Sequence, residues 1–197
     1  MAQVYKLRVR LKELEKYIWR DIEISSLSSV AKLGYAILAA FEANASHLFC
    51  IEYSGMNYEF EFYNMDYSNK QTVNPTTVKL QSLKLKVGDK LIMRYDYGAD
   101  WEFDINVVSI TEMKKGSGTH YPYITDGAGK GIIEDTSPGI LFEYIRQTDE
   151  TGELPTYIDR YFEHETEWDY RGFDLKASNI LFKFEVGEIE DAYENID

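Results

Sequence analysis

Three acidic side chains in one short stretch could do chemistry. Asp96, Asp100 and Glu102 fall in "RYDYGADWEFDI", residues 94–105, which holds four aromatics and four acids in twelve residues. Carboxylates grouped in this way can hold a hard cation such as Mg²⁺ or Ca²⁺, and a pair of them can share acid–base work. The three histidines, His47, His120 and His164, make no recognised ligand spacing, since "EHETE" is not HExxH. Of the three, His120 in a glycine-rich stretch is expected to have the exposed setting a functional histidine needs. No GxSxG nucleophile elbow occurs, and the single cysteine, Cys50, lies in an apolar run where a small buried hydrophobe is expected rather than a nucleophile.

These residues must be positioned by regular elements. Tyr5, Leu7, Val9 and Leu11 alternate with Lys6, Arg8, Arg10 and Lys12, the period-2 pattern of a half-buried strand with a basic outer face. A second strand over about 17–24 carries Asp21 and Glu23 on its outer side, so the basic row is expected to meet acids across the ladder rather than phosphate. Val30, Leu33, Ile37, Leu38 and Phe41 recur at helical spacing after the capping serines Ser28 and Ser29, which predicts a helix over about 29–44. Gly34 inside it implies close packing at that point. Two strands, 47–53 and 57–63, follow around "SGMN", then a polar loop from Tyr63. A short element near 76–83 leads to the motif. "KKGSGTHYPYITDGAGKG" reads as a long surface loop with no phosphate-binding fingerprint. Helices are expected from Pro138, from Pro155 and near Asp174, and "EVGEIEDAYENID" is expected to fray.

Within the motif, odd positions from Tyr95 to Ile105 are apolar apart from Tyr hydroxyls, and even positions from Arg94 to Asp104 are charged apart from Gly98. The parity survives the turn, so the hairpin loop must contain an odd number of residues. Three residues, Gly98–Ala99–Asp100, satisfy this. That register sets Tyr97 against Trp101 and Tyr95 against Phe103. It also sets Asp96 against Glu102, a like-charge pair that calls for a cation, a basic group or solvent.

Composition bounds the rest. A chain of 197 residues with 44% hydrophobic and 15% aromatic content can bury a substantial core. Up to Ile133 there are 16 Lys+Arg and 16 Asp+Glu; from Glu134 onward there are 5 and 18, so the net charge of −13 belongs to the last third. An acidic pole repels phosphate, and non-specific nucleic-acid binding is not expected. No apolar run suits a membrane span, "MAQVYKLRVRLK" lacks a secretory core, and one cysteine forms no internal disulfide. A cytoplasmic location is the expectation.

Four stretches together carry a family resemblance. "YKLRVRLKELEKYIWRDIEI", "AILAAFEANASHLFCIEYSGMNY", "GDKLIMRYDYGADWEFDI" and "FDLKASNILF" resemble the plasmid pRiA4b ORF-3-like family, which includes passenger proteins of insertion elements. The cover runs from Tyr5 to about Phe182. The third stretch looks like the family's Tyr-Asp-Phe-Gly-Asp-x-Trp-x-His, with Ala99 in place of the second Asp and Phe103 in place of His. "IIED" looks like its Pro-Pro-Glu-Asp, and "SPG" stands where Gly-Gly is usual. The resemblance implies a link to plasmids and mobile elements and no particular reaction, so no catalytic residue is carried over.

The expected fold is α+β, an antiparallel-rich sheet packed against an N-terminal helix, with further helices in the C-terminal third. One domain over 1–183 and an acidic tail over 184–197 are expected. The first functional expectation is a non-enzymatic interaction module that binds a protein or small ligand through Tyr95, Asp96, Asp100, Trp101, Glu102, His120, Glu134 and Asp135, with no resident cofactor. The alternatives left open are a divergent metal-dependent enzyme that uses the acids with a divalent cation, and a nucleic-acid role for the basic row.

Overall fold

A computed structural model describes residues 1–60, 71–159 and 164–195. Among them, eight strands form one sheet: β1 (Gln3–Leu11), β2 (Trp19–Ser25), β3 (Phe49–Tyr53), β4 (Met56–Glu59), β5 (Gln71–Val73), β6 (Lys90–Tyr95), β7 (Trp101–Glu112) and β8 (Tyr123–Ala128). The spatial order is β5-β4-β3-β6-β7-β1-β2-β8. Every pairing is antiparallel except β4–β5. Three helices accompany the sheet: α1 (Val30–Ala40), α2 (Pro138–Thr151) and α3 (Leu175–Glu194). The architecture is α+β, with one helix in the N-terminal region and two in the C-terminal third. No helix among the described residues is long and apolar enough to cross a membrane.

The alternation in β1 works as read. Tyr5, Leu7, Val9 and Leu11 are buried, while Lys6 and Arg8 reach Asp21 on β2 and Lys12 reaches Glu102 on β7. α1 packs on the apolar face, capped by the Ser29 side chain, which accepts from the Lys32 N–H. Gly34 is the contact point, since a Cβ there would collide with the Phe49 ring. α1 and α3 also pack together: Lys32 pairs with Glu190, and Tyr35 Oη donates to Glu194 Oε1 at 3.0 Å.

Three local expectations are corrected. Within the presumed glycine-rich loop, 123–128 form β8, an edge strand held by the tertiary structure. Ile124 donates its N–H to Asn179 Oδ1 (3.1 Å), and Asn179 Nδ2 donates back to the Ile124 carbonyl (2.8 Å), so an α3 side chain acts as the missing neighbour strand. From Pro155 there is no helix but β9 (Thr156–Asp159), paired with β10 (His164–Glu167) in a separate two-stranded sheet. The acidic stretch after Phe184 does not fray. It continues α3 to Glu194, because Val186, Ile189 and Tyr193 share the buried side of Phe182. The expected continuation of the strand to Tyr63 and the start of the polar loop lie outside the described residues.

One buried arginine ties the layers together. The Arg20 guanidinium lies between the rings of Phe41 and Phe173 and donates to the carbonyls of Ala40, Trp19 and Ala128 at 2.7–2.9 Å. Burial pushes its pKa down to about 10, so it stays charged at neutral pH.

Candidate functional site

The β6–β7 hairpin differs from its expected register by one pair. Tyr95 faces Trp101, Met93 faces Phe103, and Arg94 faces Glu102. The turn is therefore 96–100, five residues rather than three. Parity is preserved, because adding two residues leaves every side chain on its face. The added length comes from Asp96 and Asp100, both in left-handed backbone (φ 49° and 60°), a conformation that Asp tolerates better than most residues. Asp96 organises the turn. Its Oδ1 accepts from the Gly98 and Ala99 N–H groups (3.1 and 3.3 Å), and its carbonyl accepts from Asp100 N–H (2.7 Å). The expected Asp96–Glu102 clash does not exist. Glu102 lies on the outer face, held by Lys12 (2.8 Å) and Arg94 (3.3 Å), and these cations keep its carboxyl below the usual range against the opposing effect of burial.

The same turn turns Asp96 toward a second loop. Asp96 N–H donates to the Leu48 carbonyl (3.1 Å), which brings the α1–β3 connection alongside. His47 Nε2 then stands 3.5 Å from Asp96 Oδ2 and 3.7 Å from Asp135 Oδ1, distances too long for tight hydrogen bonds. The ring packs edge-on to Tyr95 (5.9 Å), and the His47 carbonyl accepts from Tyr193 Oη.

"IIED" arrives because the end of α1 holds the chain before it. Ile132 N–H donates to the Phe41 carbonyl (2.9 Å), and Gly131 lies so close to that carbonyl that a Cβ could not fit. Glu134 then reaches under the site. Its Oε1 accepts from Tyr95 Oη (2.8 Å) and from Asn44 N–H (2.7 Å), while its Oε2 is buried with no hydrogen-bond partner among the described residues. Burial is the largest influence and raises the Glu134 pKa above the ordinary carboxyl value, although Asn44, Tyr95 and His47 all act to lower it. Burial and the adjacent Glu134 push the Tyr95 phenol far up, so it remains a donor.

The result is one imidazole among three carboxylates at one end of the sheet. The side chains of His47 and Asp135 are 33% and 39% exposed and that of Asp96 is 11% exposed, so the first two meet solvent and the third is recessed. The structure thus brings together Tyr95, Asp96, Glu134 and Asp135. Trp101 is fully buried and supports the site from below. Glu102 belongs to the outer face. Asp100 sits on the exposed turn, and His120 is exposed in a 3-10 turn beyond the far end of β7, remote from the cluster. His47 is the residue the sequence reading passed over. Its signal was present in "ASHLF", within a stretch that resembles the family, directly after α1. Among the described residues, no group of three or more His, Cys, Asp or Glu is arranged to hold a metal ion.

A family profile described as "Plasmid pRiA4b ORF-3-like protein" matches residues 3–179. The chain is similar in fold to a crystal structure of a protein of unknown function, MM3350, from Methanosarcina mazei Go1. The TM-score is 0.71 at 23% identity, over 89% of this chain and 96% of that one. No curated protein matches the chain significantly.

Proposed function

The chain belongs to the plasmid pRiA4b ORF-3-like family, and from that premise we propose that it is a non-enzymatic binding module that receives a cationic group of its partner, an ammonium or guanidinium, at His47, Asp96, Glu134 and Asp135. The observation that carries this reading is the convergence of "IIED" on the motif hairpin. Tyr95 Oη fixes Glu134 at 2.8 Å, and His47 stands between Asp96 and Asp135. A partner N–H⁺ donor would find acceptors already oriented by the turn and by Asn44, which reduces the ordering cost of binding. Partly buried acids discriminate strongly against anions and neutral groups. The basic row of β1 supports a phosphate-binding role less well, because Lys6, Arg8 and Lys12 are already engaged by Asp21 and Glu102.

Calorimetric titration of the full chain with a lysine-rich, an arginine-rich and a glutamate-rich peptide of equal length tests the reading. Binding of a basic peptide should weaken on Glu134→Gln and on Asp135→Asn. Asparagine suits the left-handed backbone at 135 (φ 59°), so the fold should be retained. Equal binding of all three peptides, or variants that bind as the parent does, would refute it. Titration with Mg²⁺ and Ca²⁺ in the same series separates a metal site from an organic cation site.

A further inference from the structure

α3 has two apolar sides, and among the described residues the core covers one of them. Phe182, Val186, Ile189 and Tyr193 face the core. On the opposite side Ile180, Leu181 and Phe184 are 70%, 55% and 64% exposed, one contiguous ridge on a helix side that is ordinarily polar. Ala177 and Gly187 border this ridge. Among the described residues a Cβ at Gly187 would meet nothing within 4 Å, so no packing among them explains a residue so disfavoured in mid-helix.

We infer that this face of α3 pairs with the same face of a second copy of the chain, antiparallel, across a two-fold axis. The charges choose the partner and the direction. Along one i,i+4 row the sequence reads Lys176, Ile180, Phe184, Glu188, so the row is basic at its start, apolar in the middle and acidic at its end. Laid against itself in reverse, it sets Lys176 beside Glu188 at both ends and Ile180 beside Phe184 between them. A parallel copy would set like charge on like charge. Such an isologous contact closes after two subunits. An open depression of about 370 Å³, lined by Tyr123, Leu175, Lys176, Asn179 and Ile180, adjoins the ridge and offers the Phe184 ring of the second copy an apolar seat.

Sedimentation equilibrium on the full chain, from the nanomolar to the high-micromolar range, tests the pairing. The parent should form a reversible dimer. Phe184→Glu should weaken it by about 30-fold or more, with an unchanged circular dichroism spectrum, because the side chain makes no core contact. Lys176→Glu and Glu188→Lys should each weaken it, and the two together should restore it. A parent that stays monomeric throughout would overturn the inference, as would a dimer that Phe184→Glu leaves intact, or a double variant no stronger than the singles. The first of these results would assign the ridge to a different protein.

Discussion

Replacing Tyr95 with Phe removes one oxygen from a buried site, and with it the hydroxyl's hydrogen bonds to Glu134 and Ser46. The ring stays opposite Trp101 and keeps its edge contact with His47. What disappears is the 2.8 Å donor to Glu134 Oε1, together with the Ser46 hydrogen bond, whose loss does not depend on the state of Glu134; the carboxylate keeps the Asn44 N–H, and Oε2 has no partner among the described residues. A hydrogen bond to an ionised group contributes about 1.5–3 kcal/mol, and one between neutral groups about 1 kcal/mol. The state of Glu134 therefore sets the pH-dependent part of the loss. Its folded pKa lies above the unfolded one. Its ionisation thus opposes folding: the associated stability is fully present below the unfolded pKa of about 4.3 and is lost as pH rises through the folded value. Tyr95→Phe takes away a donor that favours the carboxylate, so it should deepen that dependence. The expected loss from the Glu134 bond is about 1 kcal/mol near pH 4 and about 2 kcal/mol at pH 8. For a chain of this size that means about 2–4 °C and about 4–8 °C in Tm. Differential scanning calorimetry at the two pH values measures both. In a Glu134→Gln background the pH-dependent part should vanish. An equal Tm loss at both pH values, or a pH-dependent part that survives Glu134→Gln, would refute the reasoning.

Other substitutions separate the roles of neighbouring residues. Asp96→Ala should cost about 1–2 kcal/mol in urea unfolding, as the turn loses its cap and left-handed backbone is imposed on Ala, whereas Asp96→Asn should stay within about 0.5 kcal/mol of the parent. Gly34→Ala should destabilise by about 1–3 kcal/mol by overpacking on Phe49, and Phe49→Leu in the same chain should recover part of the loss. Arg20→Met should cost about 3 kcal/mol in thermal unfolding, since three carbonyls lose their donors.

Elements written in local periodicity were legible. The alternation of Tyr5 to Leu11 and the spacing of Val30 to Phe41 specify β1 and α1, and Ser29 caps α1 as its type suggests. Relations made by tertiary contact were not. Odd–even parity fixes which face each motif residue takes, yet it is blind to a shift of two residues, so it allowed a three-residue loop where Asp96 and Asp100 build five. The strand at Tyr123 has no strong pattern of its own and depends on Asn179 across 55 residues. The apolar residues 182, 186, 189 and 193 keep helical spacing, but their density among acids is low enough to suggest fraying. The site was half visible. Asp96 was suspected from its expected place opposite Glu102 and the two acids of "IIED" from the family resemblance, whereas their meeting at His47 depends on Gly131 docking against the end of α1.

The Asn179 clamp has a bearing on synthesis. Ile124 of β8 is made 55 residues before the side chain that pairs with its outward backbone groups. At about 5–20 residues per second, translation leaves that edge open for roughly 3–11 s. During that interval an eight-stranded sheet ends in backbone donors and acceptors that any extended nascent chain could pair with. Asn179→Leu would make the interval permanent. Its consequence should therefore be seen in the yield of soluble protein from the ribosome, and in inclusion bodies, before it is seen in the melting temperature of the molecules that do fold.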